Sequence, residues 1–246
     1  MELPEDVSRQ VATVLRLRPG EEIGVFDGSG TEWVVRLEHV AANGTSGLVI
    51  EVRQPDVEPA VALTLCVAVL KADRFEFVLQ RCTEAGVSRF QPFVSERCVA
   101  EMPRGQKLAR WERIVREAAE QSGRVMIPPL LPVAALADLP TRADLQPLVV
   151  LWEAERSVGL REVLDAMAIP RRAKSATAVN STGRTSSRPS LSLVVGPEGG
   201  LAEREVQQLT GAGVRTASIG PRVFRAETAA LVATAAVMYH RGELGR

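Results

Sequence analysis

From Val61 to Leu70 the chain is apolar almost without a break, the pattern of a central parallel strand covered on both faces. Beyond it, Phe75, Val78, Leu79 and Cys82 recur at helical spacing. They predict a helix that Asp73 is expected to N-cap and that Gly86 ends. Arg89–Val94 reads as the next strand, Trp111, Ile114, Val115 and Ala118 as the stripe of a second helix, and Pro147–Trp152 as a third strand. Alternation of this kind predicts an α/β fold with a parallel sheet. The first sixty residues follow another rhythm. Val7, Val11, Val14 and Leu15 have helical spacing, and Glu21–Phe26, Thr31–Leu37 and Gly47–Val52 read as short strands. Asp27-Gly-Ser-Gly30 and Asn43-Gly44 supply their turns, because Gly and Asn accept positive φ. Gln54–Pro59 carries two prolines and no periodicity, so it reads as a linker. Two domains are therefore expected, over 1–56 and 61–246. The last helix, Ala226–Met238, is apolar on nearly every side and is expected to be covered all round.

Residues 171–190 interrupt the alternation. They hold five basic and no acidic residues and almost no large apolar side chain. Such a segment buries too little surface to offset its ordering entropy, and a mobile insert is expected there.

Composition narrows the classes of function. Hydrophobic residues make up 46% of the 246, ordinary for a globular protein, and no apolar run approaches the roughly 18 residues that a bilayer span needs. Glu2, Glu5 and Asp6 precede any apolar segment, unlike the basic start of a signal peptide, so a cytoplasmic location is expected. The three cysteines, Cys66, Cys82 and Cys98, form no C-x-x-C pair, and His39 and His240 are far apart. No metal site is expected. The overall charge is zero but uneven. Residues 1–60 hold five basic and eleven acidic residues, a net of −6, which leaves +6 on residues 61–246. An RNA partner would be drawn to the larger part.

The chemistry concentrates in two segments near the end. Leu191-Ser-Leu-Val-Val-Gly-Pro-Glu-Gly-Gly-Leu201 and Ser218-Ile-Gly-Pro-Arg-Val-Phe-Arg-Ala-Glu-Thr-Ala-Ala230 are each an apolar run that breaks into a Gly-Pro turn and opens a helix. Strand ends of this type leave backbone N–H and C=O groups for a ligand. The first segment lacks the lysine of a P-loop and the spacing of a dinucleotide fingerprint. Its glycines instead suit close backbone approach to a flat heterocycle, with left-handed dihedrals expected at Gly199.

Together with Lys71–Val87, Ser95-Glu-Arg97, Arg110–Gly123 and Leu151-Trp-Glu-Ala-Glu155, these segments resemble the blocks of the bacterial 16S rRNA (uracil-N3) methyltransferase family, within the SPOUT superfamily. The resemblance implies a trefoil-knotted methyltransferase domain preceded by a small PUA-like RNA-binding domain. An opening strand with basic residues, usual in that family, has no counterpart here. The implied cofactor is S-adenosylmethionine, bound in a bent conformation. Its site would comprise Gly196, Pro197, Glu198, Gly199 and Gly200, then Ile219, Gly220, Val223, Phe224, Ala226 and Thr228, with Leu151, Trp152 and Glu153 as a third wall. The implied partner is 16S rRNA, within the assembled small ribosomal subunit, and the implied state is a homodimer with the last helix at the interface.

Methyl transfer from a sulfonium asks mainly for alignment and removal of a proton. Loss of the imide proton spreads charge onto uracil's carbonyl oxygens, where a guanidinium would stabilise it. Arg225 is the first candidate and Arg222 the second; they stand three residues apart and can reach one side of a turn. Glu227 and Thr228 could equally cap the last helix. Arg110, Arg113, Arg116 and Arg124 at near-helical spacing read as either a solvated face or an RNA contact. A ribose 2′-O-methyltransferase of the same superfamily and a non-catalytic RNA-binding protein of the same fold are the alternatives.

Overall fold

The computed structural model describes residues 1–100, 105–167 and 188–245. It forms two compact units, Met1–Glu58 with Gly123–Met126, and Pro59–Ser122 with Ile127–Arg246.

The smaller unit starts with helix α1, Glu5–Arg9, which runs into a π-helical turn over Gln10–Leu15. Of the expected helical stripe only Val11 is buried, while Val14 and Leu15 are 71% and 54% exposed. Strands β1 (Glu22–Phe26), β2 (Glu32–His39) and β3 (Ser46–Arg53) form an antiparallel sheet in chain order. Residues at the start of the chain lie beside β3, with Gly47 N–H donating to Met1 O and Leu3 N–H to Thr45 O. Leu3, Val11 and Leu37 make a small core. Arg124 and Glu58 form an ion pair at 2.7 Å with side chains 6% and 7% exposed, and the N–H groups of Val125 and Met126 donate to the same carboxylate. Arg124 is thus no part of a solvated helix face. The preceding helix has ended by Gln121, and the arginine is turned inward on its own unit.

The larger unit is built on six parallel strands, β4 (Ala62–Ala68), β5 (Arg89–Val94), β6 (Ala134–Ala135), β7 (Leu148–Leu151), β8 (Ser190–Val195) and β9 (Arg215–Ala217), in the order β6-β5-β4-β8-β7-β9. Strand β4 is central. Its Leu63, Leu65 and Val67 face one core with helices α2 (Ala72–Glu84), α3 (Gln106–Gln121), α4 (Leu160–Ala166) and α6 (Ala226–His240). Its Cys66 and Ala68 face another, against α5 (Glu203–Gly211) and the turns around Leu136–Leu145. Both faces are covered, which is why the run could be apolar throughout.

Two expectations about boundaries change. Helix α2 begins after Lys71 with no side-chain cap, so Asp73 lies inside the first turn, where a carboxylate favours the helix dipole without capping it. The helix does end at Gly86, whose φ is +103°. The insert expected over 171–190 lies outside the described residues except for its last three. Ser190 already belongs to β8 and pairs with Ala62. Helix α6 buries Ala226, Ala230, Ala233, Thr234, Val237 and Met238, but Tyr239 is 71% exposed, so it is covered on one side and not all round within this chain.

Candidate active site

Strands β8, β7 and β9 are neighbours in the sheet, all parallel, so the loops after them emerge at one edge. Together they enclose a pocket. The first wall is Leu151–Glu153 with Arg156, the second Val195–Leu201, and the third Ser218–Phe224 with Ala226 and Ala229 of α6. Fourteen of the sixteen expected site residues therefore converge on the cavity, Arg222 among them. Thr228 and Arg225 do not line it. Thr228 lies in the first turn of α6, between the lining residues Ala226 and Ala229. Arg225 is the N-cap position of that helix and is exposed. Glu198 lines the wall, yet one of its oxygens is buried.

Backbone geometry explains the glycines. Gly200 has φ +69°, and a Cβ there would overlap the carboxylate of Glu153. A Cβ on Gly196 would lie 3.0 Å from Leu201 Cγ. Gly199 has no left-handed dihedral; its Cβ position faces Arg97 instead, at 3.3 Å. The constraint expected at Gly199 thus falls one residue later, at Gly200. Gly220, with φ +127°, turns the third wall.

The first wall is pinned to the third. Trp152 N–H donates to Ala217 O, Ser218 N–H to Val158 O, and Leu160 N–H to Ser218 O. Glu155 braces this arrangement, accepting from Thr216 Oγ1 at 2.7 Å and from the N–H groups of Ser157 and Val158. The Thr216 hydrogen bond, then that from Ser157, holds its carboxyl below the usual range. Arg156 donates to the carbonyl oxygens of Glu153 and Glu155. It lines the pocket without having been singled out, because no spacing rule marks an arginine inside a loop.

Arg97 and Glu96 do not pair with each other. Arg97 Nη1 donates to Gly199 O at 3.0 Å, while Glu96 pairs with Arg204 at 2.6 Å. Arg110 is held by both oxygens of Glu76. The guanidinium groups of Arg222 and Arg225, by contrast, are on exposed residues and have no hydrogen-bond or ion-pair partner among the described residues. Glu227 forms no cap; it meets Arg74 at 3.9 Å. Among the described residues no group of His, Cys, Asp and Glu could hold a metal ion. Burial pushes the thiols of Cys66 and Cys82 up to about 12, which keeps both out of nucleophilic chemistry at neutral pH.

Comparison with known proteins agrees with this architecture. The model of the RNA methyltransferase domain matches residues 57–238, and that of the RNA methyltransferase PUA domain matches residues 4–44. Ribosomal RNA small subunit methyltransferase E of Bacillus subtilis is 33% identical over 93% of this chain and 86% of its own length. The Mycobacterium tuberculosis protein of the same name is 35% identical over 94% and 83%. Among solved structures, ribosomal RNA small subunit methyltransferase E from Neisseria gonorrhoeae, bound to S-adenosyl methionine, aligns with a TM-score of 0.81 at 31% identity, covering 97% of this chain and 91% of that one. A putative methyltransferase from Legionella pneumophila, also with bound cofactor, gives 0.82 at 27% identity over the same shares. The larger unit has the SPOUT-type methyltransferase fold and the smaller one is a PUA domain. With its three-loop pocket and matches over nearly its full length, the chain belongs to the RNA methyltransferase family that includes the ribosomal RNA small subunit methyltransferases E.

Proposed function

We propose that the chain transfers a methyl group from S-adenosylmethionine to N3 of a uridine in 16S rRNA. The observation that carries this reading is the single pocket formed by three loops at the ends of adjacent parallel strands, in a chain of this family. Gly196 and Gly200 fit the cofactor because side chains at either position would crowd Leu201 or Glu153, whereas bare backbone can meet an adenine edge. When bound, S-adenosylmethionine supplies an electrophilic methyl on a good leaving group.

The chain's own work is placement and charge. The walls fix the ligand, which removes most of the entropic barrier to an in-line transfer. The guanidinium groups of Arg225 and Arg222, free of partners among the described residues, are available to RNA. A guanidinium directed at a uracil carbonyl oxygen stabilises the anion left when the imide proton departs. Arg225 takes this role and Arg222 supports it from the pocket wall.

The same reading includes a homodimer, a cytoplasmic location and a substrate presented on the assembled small subunit. In favour of the dimer, α6 leaves Leu231 and Val232 only half-buried and Tyr239 exposed. Regarding location, no helix among the described residues is long and apolar enough to cross a membrane.

Mapping methylated nucleosides in 16S rRNA from a strain lacking the protein tests the proposal. Loss of one N3-methyluridine supports it. Loss of a 2′-O-methyl group instead would assign the other enzyme, and unchanged rRNA would leave a binding protein.

A further inference from the structure

The first turn of α2 places Arg74 between two carboxylates from different elements. Its Nη1 lies 3.5 Å from Glu198 Oε1 in the loop after β8, and its Nε lies 3.9 Å from Glu227 Oε1 in the first turn of α6. Lys71 N–H also donates to Glu198 Oε1, at 3.2 Å. The two glutamates are only 18% and 14% exposed, and the Oε2 atom of each is buried with no hydrogen-bond partner among the described residues. Arg74 is the cation that these two mostly buried carboxylates share, and removing one partner of a buried ion pair leaves the other side uncompensated.

We propose that Arg74 is a positioning residue that clamps the Glu198 loop to the start of α6. Glu198 sits in the middle of the pocket's second wall. Glu227 follows Arg225 by two residues, so the clamp sets the distance between the cofactor wall and the arginine that reaches the RNA. The inference rests on the proposed methyltransferase reading. It adds that one guanidinium, outside the pocket lining, fixes two of its parts relative to each other.

The test compares the full-length protein with R74Q, R74K and the double variant R74Q/E227Q. S-adenosylmethionine binding is measured by calorimetry, and turnover on small ribosomal subunits by methyl incorporation. Arg74→Gln should weaken cofactor affinity by about 10-fold, because the two carboxylates then push the wall and the helix apart. Arg74→Lys should keep affinity within about 3-fold, since the charge remains. Adding Glu227→Gln to Arg74→Gln should recover most of the loss by removing the repulsion. An arginine that merely packs against its neighbours predicts a double variant no better than R74Q. That result, or unchanged affinity in folded R74Q, overturns the proposal. Should R74Q fail to fold, R74Q/E227Q and R74K carry the comparison, and the clamp requires both to fold and bind. Failure of the unaltered protein to bind S-adenosylmethionine would overturn the methyltransferase reading itself, and is seen before any variant is made.

Discussion

Gly200 faces Glu153 across the pocket: a Cβ on the glycine would overlap the glutamate's Oε1. The close approach joins the loop after β8 to the loop after β7, and Gly200 also holds φ +69°. Gly200→Ala is therefore expected to weaken S-adenosylmethionine binding by about 10-fold or more, through overlap and a left-handed dihedral together. Shortening the partner in G200A/E153A should recover only the overlap. Calorimetry on both variants checks this, and full recovery in the double variant would remove the backbone from the explanation.

Arg225 offers a kinetic test. Arg225→Lys keeps the charge but loses the planar fork. If the guanidinium stabilises the uracil anion, saturated turnover falls by about 10²–10³ while cofactor affinity stays near normal. An arginine that only ties its loop to α6 predicts the opposite split. Measuring both quantities on one preparation decides between them.

The Glu58–Arg124 pair tests the small unit. Arg124→Ala leaves a carboxylate that is 7% exposed without its guanidinium, and breaking a buried pair in this way costs about 3–5 kcal/mol. Denaturant unfolding of a W111F/W152F background, in which Trp33 of β2 is the remaining tryptophan, should shift to a markedly lower fluorescence midpoint. A midpoint equal to that of the background alone would mean that water replaces the arginine.

Glu155 gives a pH dependence with a definite sign. Hydrogen bonds from Thr216 and Ser157 hold its folded carboxyl below the ordinary value. Its contribution is then complete above the ordinary glutamate range and is lost as pH falls through the depressed folded value. Glu155→Gln should lower Tm at pH 7, and the gap from the unaltered protein should narrow as pH drops below about 4. A gap that stays constant down to pH 3 would show that ionisation of Glu155 contributes nothing.

Much of this architecture was legible because it rests on local signals. Arg89–Val94 was bounded correctly, since polar and glycine positions flank a short apolar run. The burial of β4 on both faces followed from its lack of alternation. The pocket's membership followed from two Gly-Pro turns one unit apart, joined by a resemblance that supplied the third wall. What escaped depends on distant partners. β6 is two alanines that form a strand only because Phe93 and Val94 lie beside them. Arg124 reads as a surface arginine until Glu58, sixty-six residues away, is placed against it. The left-handed residue in Gly199-Gly200 could not be chosen between two adjacent glycines. Arg74 carries no mark of its role, because each of its two carboxylates comes from a different turn of the fold.

The order in which the pocket's walls occur along the chain has a consequence during synthesis. They come from residues 151–156, 195–201 and 218–229, so no wall exists in the first half of the polypeptide. The small unit is complete once residues 123–126 have been added to it, and it can fold while the rest is still being made. A nascent chain therefore acquires its PUA fold well before it can hold a methyl donor. A product that stops before residue 218 lacks the third wall of the pocket, so the cofactor site is completed only in the last stretch of synthesis.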